Sequence, residues 1–381
     1  MKIIVISYNT ARYLYRFRLE IILELLRRGH KVVTVAPRDE YSDKLASLGC
    51  VVYDIKMSSR GANPFVDLVT FIMYYKIYSR IKPDLALHFT LKPNIYGTLA
   101  AQFNHVKSIN MITGLGTAFV SHSWMTKMVE VLYKFSQRSA EKILFQNFDD
   151  LKLFIDRGLA TAEKARVIPS SGVNLSEFSL APHRKKQTPI FLMVCRMIRD
   201  KGVLEFVNAA RQLKSEYPNV RFQLLGQLNV DNRTAISKDQ MDGWVAEGVV
   251  EYLGESEDVR TYIDQADCLV LPSYREGLSK ILLEAAAMGR VVIASNVPGC
   301  RELVDDGISG YLCEPKNVCD LVSKLKLVLS LSSNDLIRMG LNGRIKIERE
   351  FDSKVIVAKY LAEIDEVLVK NNFKQTSKIV K

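Results

Sequence analysis

Residues 273–289 read Ser-Tyr-Arg-Glu-Gly-Leu-Ser-Lys-Ile-Leu-Leu-Glu-Ala-Ala-Ala-Met-Gly. An apolar run, Cys268–Leu271, precedes this stretch, and a second, Val291–Ser295, follows it. Between them Ser279–Met288 has helical composition. Strand, loop, helix and strand in so short a span form the repeating unit of a parallel sheet, whose neighbours are joined by crossover helices. Two glutamates, Glu276 and Glu284, bracket seven residues. The second lies within Ile-Leu-Leu-Glu-Ala-Ala-Ala, where a carboxylate needs a partner, because an unpaired buried charge is costly. Gly277 stands just before the helix, where backbone amides would point at an anion. The stretch therefore predicts a site for a polyol beside a phosphate.

Outward from this unit the same rhythm covers the chain. In the first half, apolar runs at Ile3–Ser7, Lys31–Ala36, Val51–Ile55, Leu85–His88, Ser108–Ile112 and Lys142–Gln146 read as strands. Amphipathic stretches at Phe17–Arg28, Asp43–Leu48, Phe65–Arg80, Asn94–Phe103 and Lys127–Ala140 separate them. A polar, basic segment bounded by prolines, Ala181–Pro189, reads as a linker. A second series follows, with strands at Ile190–Cys195, Arg221–Leu225, Val249–Leu253, Cys268–Leu271 and Val291–Ser295. Its helices are expected at Val203–Glu216, Val259–Ala266, Ser279–Met288, Arg301–Asp305 and Val318–Leu331, with a helical tail at Ser353–Val369. The prediction is an α/β protein of two Rossmann-like doubly wound domains, 1–183 and 184–352. Residues 353–381 form a helix and tail that pack back on the first domain. Two such domains would face each other across a ligand cleft at the carboxyl ends of their strands.

Composition sets the class. The chain has 381 residues, 48% hydrophobic and 25% charged, which fits a globular protein and argues against disorder. Six scattered cysteines without a CxxC pair suit a reduced, cytoplasmic setting. The apolar start is too short for a signal peptide or anchor, and no apolar run is long enough to span a bilayer. The net charge of +11 is uneven: residues 1–183 carry 24 Lys/Arg against 15 Asp/Glu, and the remainder 29 against 27. The first half thus calls for an anionic partner: a membrane surface, a phosphorylated lipid or nucleic acid. The stretches Phe65–Arg80 and Phe119–Lys134 mix aromatic and basic residues in a way that suits a membrane interface. Nucleic acid is disfavoured, because the aromatics do not alternate with Lys/Arg as stacking platforms do.

The chemistry-bearing residues follow from position. Arg196 and Lys201 succeed the strand Ile190–Cys195 and precede a helix, a good place for a diphosphate clamp. Were Glu276 and Glu284 on one continuous helix, their Cα atoms would lie about 12 Å apart. That exceeds the roughly 5–5.5 Å and 6.5–9.5 Å between the carboxyl groups of retaining and inverting glycoside hydrolases. Two carboxylates gripping hydroxyls at either end of an extended ligand suit the spacing better. There is no Asp-x-Asp triplet, and five histidines are too few for a His-rich metal site, so no metal is expected. Neither a P-loop nor a GxGxxG follows the first strand, which disfavours a dinucleotide oxidoreductase. Thr90-Leu-Lys-Pro-Asn94 and Thr113-Gly-Leu-Gly-Thr117 also follow strands and would face the cleft.

Taken together, Arg196 with Lys201-Gly202, Leu224-Leu225-Gly226, Glu276-Gly277 through Glu284-Ala285, and Val297-Pro298-Gly299-Cys300-Arg301-Glu302 with Gly307 and Gly310 resemble the family 4 glycosyltransferases of GT-B architecture. A second layer narrows the likeness: Phe17-Arg18, Asn63-Pro64-Phe65, Lys92-Pro93-Asn94, Gly114-Leu115-Gly116, Phe145-Gln146-Asn147 and Ser171-Gly172-Val173. These resemble a bacterial subgroup that builds surface polysaccharide repeat units on undecaprenyl diphosphate.

The resemblance implies a retaining transfer from a UDP-sugar without metal or other cofactor. Glu276 would contact donor-sugar hydroxyls, and the backbone of Gly277, Leu278 and Ser279 would support sugar and phosphate. Arg196 and Lys201 would hold the diphosphate as it leaves. Glu284 would bind the ribose, and the loop after Gly254 would lie near the base. Arg18, Lys92, Thr113, Gly114 and Gly116 would serve a polyprenyl-diphosphate-linked acceptor. The enzyme would sit peripherally on the inner face of the cytoplasmic membrane. The chain departs from the family in having no glycine pair in the loop Ser7–Arg12, and in lacking the family's histidine near Thr113-Gly114. His88 ends a neighbouring strand and is not an obvious substitute. Two rival readings are a GT-B nucleotide-sugar epimerase, which needs no acceptor, and a non-catalytic sugar-nucleotide-binding partner.

Overall fold

The computed structural model describes residues 1–58, 63–114, 124–181 and 188–379, with residues 124–126 and 370–379 in backbone only. Pro182–Gln187, most of the expected linker, lies outside the described residues. The chain divides into two compact units: Met1–Ser171 with Lys354–Lys381, and Gly172–Ser353. The chain thus leaves the first unit before the expected boundary at 183, and the reason is local. Val173 donates its amide to Phe351 O at 2.9 Å, and Ser353 donates to Val173 O at 2.9 Å, so the outgoing and returning segments are bonded side by side. Phe178 then packs into the second unit's core.

The first unit holds a seven-stranded parallel sheet. Its strands are β1 (Ile3–Ser7), β2 (Lys31–Ala36), β3 (Val51–Asp54), β4 (Leu85–Phe89), β5 (Lys107–Ile112), β6 (Lys142–Phe145) and β7 (Ala165–Val167), in the order β3-β2-β1-β4-β5-β6-β7. The strands are nearly continuous apolar runs because helices cover both faces. Alternation in β1 shows this: Ile4 and Ile6 join one core cluster, Val5 the other. The first cluster also takes Ile356, Tyr360, Leu361 and Ile364 from the helix Ser353–Ile379. Lys142 clamps that helix through Glu363 at 3.2 Å and Glu366 at 2.8 Å.

The second unit repeats the plan with six parallel strands. They are β8 (Ile190–Val194), β9 (Arg221–Leu225), β10 (Glu251–Tyr252), β11 (Cys268–Leu271), β12 (Val291–Ser295) and β13 (Gly310–Cys313), ordered β10-β9-β8-β11-β12-β13. One continuous core includes Phe191, Phe206 and Phe222. In both units the chain winds outward from its first strand and then crosses to that strand's other side. The switch points are therefore β1/β4 and β8/β11, where open parallel sheets bind ligands beyond the strands' carboxyl ends.

Several elements differ from expectation. β7, β13 and the helices Phe148–Asp156, Lys238–Ala246 and Ser333–Glu350 were not foreseen. Arg301–Leu303 is a single 3-10 turn rather than a helix to Asp305. Ser333–Glu350 contains two glycines, Gly340 and Gly343, both buried. Gly340 permits close packing: a Cβ there would lie 2.0 Å from Gly289 O.

Candidate active site

Glu276 does not sit on a helix. The helix carrying Glu284 spans Lys280–Ala287, and Glu276 lies in the loop between β11 and that helix. Continuous helical spacing therefore does not set the separation of the pair. The loop is fixed from two sides. Glu276 donates its amide to Pro298 O at 3.2 Å, and Ser279 donates its amide to Gly299 O at 2.8 Å. Gly299 has φ 81°, and a Cβ there would lie 2.5 Å from Glu276 O.

Across the switch point, the β8 end turns through Arg196 into a short 3-10 turn, Arg199–Lys201. Gly202 follows with φ 80°, and a Cβ on it would lie 2.1 Å from Pro272 O, so only glycine lets this turn pack against the end of β11. Tyr274 links the two loops. Its amide donates to Asp200 O at 2.9 Å and its hydroxyl donates to Glu205 Oε1 at 2.7 Å.

These loops bring Lys201 Nζ to 2.5 Å from Glu276 Oε1, and Ser273 Oγ donates to the same oxygen at 2.8 Å. Among the described residues nothing hydrogen-bonds Glu276 Oε2. Burial alone would lower the Lys201 pKa, but the adjacent Glu276 carboxylate overrides it and holds the ammonium above its ordinary value of 10.5. The pair's stabilising contribution is therefore fully present below 10.5, and fades only as pH rises through the raised value. Lys201 stays cationic through the neutral range.

A cleft of about 200 Å³ opens at this point, lined by Arg196, Lys201, Glu276 and Ser279 with Cys195 and Lys280. Arg196 is exposed, and its guanidinium has no hydrogen bond or ion pair among the described residues. Ser279 makes no side-chain cap on the helix Lys280–Ala287, so an anion in the cleft would meet the positive end of that helix. One expectation needs correction: the Ser279 amide is already donated to Gly299, so it is not available to a ligand. Leu278 is buried, and its amide has no partner among the described residues. Glu284, one turn into the helix, is buried and lies 3.9 Å from Lys280 Nζ. Gly254 has φ 78° with open space where a Cβ would be, and its carbonyl accepts from the Gly226 amide at 2.7 Å, beside the end of β9. Ser273 and Tyr274 went unnoticed in the sequence, because a serine and a tyrosine in a loop carry no periodic signal.

The first unit corrects the acceptor-side expectations. Arg18 is buried. It donates to Ser170 O at 3.2 Å and to Tyr360 Oη at 3.1 Å, with its guanidinium 4.2 Å from the Phe89 ring centre. Lys92 is buried against Asp67 at 2.7 Å. Both charges are committed to internal partners and hold the unit together. Thr113 and Gly114 do follow the end of β5, partly exposed, with Thr113 beside the buried Tyr8. Gly116 lies outside the described residues. His88 is fully buried among Tyr78 Oη at 2.8 Å, Asn110 Oδ1 at 2.9 Å and Thr98 Oγ1 at 3.1 Å. Burial depresses its pKa to about 4, so it is a neutral core group at physiological pH.

The sequence placed the loop from Thr90 at a strand end, but did not set it beside Asn9 at the β1/β4 switch point. There Asn9 Oδ1 and Thr90 Oγ1, beyond adjacent strand ends, are shielded from solvent and hydrogen-bond to no described residue. Thr90 has φ 72°, a strained conformation for a β-branched residue.

Comparison with known proteins places this architecture. Residues 188–330 match a family described as glycosyl transferases group 1, and residues 4–147 match glycosyl transferase 4-like. A Campylobacter jejuni enzyme, N,N'-diacetylbacillosaminyl-diphospho-undecaprenol alpha-1,3-N-acetylgalactosaminyltransferase, is 30% identical over 93% of this chain and 96% of its own length. This chain belongs to the family 4-like glycosyltransferases. The Escherichia coli UDP-Gal:alpha-D-GlcNAc-diphosphoundecaprenol alpha-1,3-galactosyltransferase is 27% identical over 75% of the transferase described here and 76% of its own length. The fold is that of solved GT-B enzymes. A Rickettsia africae glycosyltransferase superposes with a TM-score of 0.78 at 20% identity, covering 96% of this transferase and 98% of that chain. HepE of Anabaena, solved with UDP and glucose, gives 0.77 at 16% identity, covering 96% and 100%.

Proposed function

We propose that this transferase moves a HexNAc or hexose from a UDP-sugar to a saccharide on undecaprenyl diphosphate, with retention and without a metal, in surface polysaccharide assembly. The observation that carries the donor half is Arg196, a cation without a partner among the described residues, in one cleft with the Lys201–Glu276 pair. The acceptor half rests on the substrates named for the C. jejuni and E. coli relatives.

Arg196 and Lys201 bind the diphosphate. As the bond from the anomeric carbon to the phosphate oxygen breaks, the electron pair leaves with the diphosphate, and these cations and the helix end stabilise the growing charge. Glu276 Oε2 accepts a hydrogen bond from a sugar hydroxyl, while Oε1 stays with Lys201 and Ser273. The acceptor hydroxyl forms the new bond on the same face and passes its proton to a leaving-phosphate oxygen. Glu284 takes the ribose hydroxyls. In the first unit, Arg18 and Lys92 are held by internal partners, and Asn9 and Thr90 mark the β1/β4 switch point towards which the acceptor's hydroxyls would be directed.

Incubation with a panel of UDP-sugars, with and without an undecaprenyl-diphosphate-linked saccharide, tests the reading. Lipid-dependent release of UDP and a longer glycolipid are expected. An isomerised sugar nucleotide in the absence of lipid would instead identify an epimerase, and no UDP release under any condition would leave a binding protein. Separately, Glu284→Ala should weaken UDP about 10- to 100-fold in calorimetry, the cost of removing a charged hydrogen-bond partner. Unchanged affinity would remove the ribose role.

A further inference from the structure

The helix Pro64–Ile81 presents apolar residues on both faces. Its inner face buries Thr70, Tyr74, Ile77 and Tyr78 against the first sheet. Its outer face carries Phe65, 83% exposed, and Leu68, 55% exposed, with Val69, Ile72 and Tyr75 between 39% and 45% exposed. At 100° per residue these five fall on one arc, and Lys76 and Arg80, both exposed, continue it. An amphipathic surface helix would put polar groups here, and an all-apolar helix would be covered. Phe103, 66% exposed, extends the patch, packing edge-on against Phe71.

Charge identifies what covers it. From Lys56 to Lys82, the described basic residues are Lys56, Lys76, Arg80 and Lys82, all exposed. The one acid in that span, Asp67, is buried in its pair with Lys92. Among the described residues the patch is therefore apolar with a cationic edge, a combination suited to an anionic lipid surface: rings and aliphatic side chains enter the headgroup boundary while ammonium and guanidinium groups meet phosphates. Direction agrees. β3 is parallel to β1, so the helix begins at the carboxyl edge of the sheet, the same edge that bears Asn9, Thr90 and Thr113. Phe65 and Leu68, the most exposed of the five, lie at that end.

We infer that the outer face of Pro64–Ile81 seats the transferase on an anionic bilayer, with Phe65, Leu68 and Ile72 entering the interface and Lys76 and Arg80 on lipid phosphates. This deepens the proposed function by naming the surface that meets the membrane carrying the acceptor. It does not require that acceptor to be identified correctly.

The test is sedimentation of the full chain with vesicles of phosphatidylglycerol and phosphatidylcholine, and with phosphatidylcholine alone, at low and high salt. The wild type should bind the anionic vesicles, less at high salt. F65D/I72D and K76E/R80E should each lower partitioning by about tenfold or more, from lost apolar insertion and lost phosphate attraction respectively. Both pairs sit on the surface, so thermal unfolding and UDP affinity should match the wild type. Vesicle binding that neither variant weakens would overturn the inference. So would concentration-dependent self-association of the wild type, abolished by F65D/I72D, which would make the face a contact between two copies. Loss of vesicle binding in a protein that transfers sugar only to a water-soluble acceptor would keep this inference and overturn the lipid-linked acceptor. Transfer to the lipid-linked acceptor with undiminished vesicle binding by both variants would do the reverse.

Discussion

Replacing Lys201 by alanine should lower turnover about 10²- to 10³-fold, the scale of removing one preorganised group from a developing anion. Two effects combine. The leaving diphosphate loses a cation that stays protonated through the neutral range. Glu276, partly buried, also loses its 2.5 Å partner and keeps only Ser273 on Oε1, so its carboxylate is left poorly compensated beside a negatively charged donor. The variant should therefore lose kcat and donor affinity together. Lys201→Ala/Glu276→Gln, which removes the uncompensated charge, should recover affinity but not turnover. A steady-state assay with saturating donor, alongside a thermal melt to confirm folding, decides this. Turnover within threefold of wild type for Lys201→Ala would remove the lysine from the mechanism.

Gly226→Ala should cost about 3–5 kcal/mol of the second unit's stability, at the upper end for a single substitution. Gly226 has φ 138°, a conformation L-residues rarely adopt, and its added Cβ would lie 1.9 Å from Cys195 O. The obstacle is backbone, so no side-chain rotamer relieves it. Relief would require β9 and the β8 end to part, breaking the bond from Cys195 N to Leu225 O at 3.0 Å. Arg196 is the next residue, so donor binding should fail with the fold. Thermal unfolding of wild type and variant measures the effect, and a melting temperature within one or two degrees would contradict it.

The parts legible in sequence were those encoded locally. Buried parallel strands are continuous apolar runs, so the first core strands of each sheet could be read from composition. Arg196, Lys201, Glu276 and Glu284 could be placed because each follows a strand end or sits in an apolar helix where its charge is conspicuous. The misreadings involve partners far away in the chain. Arg18 was expected to serve the acceptor, but its partners are Ser170 and Tyr360, both remote in sequence. Lys92 is neutralised by Asp67. A basic residue in a motif shows that charge is wanted, not which way it points. Conversely, Asn9 and Thr90 carry no charge and no periodicity, and their unpartnered oxygens emerge only when β1 and β4 are set side by side. The helix Ser333–Glu350 was not foreseen, and the close contact that its Gly340 makes with Gly289 leaves no local signal in the sequence.

The central claim is that the β8/β11 switch point holds a nucleoside diphosphate on Arg196 and Lys201. Calorimetric titration of UDP into the wild type and Arg196→Met tests it most directly, since methionine keeps much of the side chain's bulk and removes only the exposed charge, which has no partner among the described residues. Saturable binding to the wild type and at least a tenfold weaker Kd for the variant are expected, with both proteins melting at the same temperature. Equal affinity in the two proteins would contradict it.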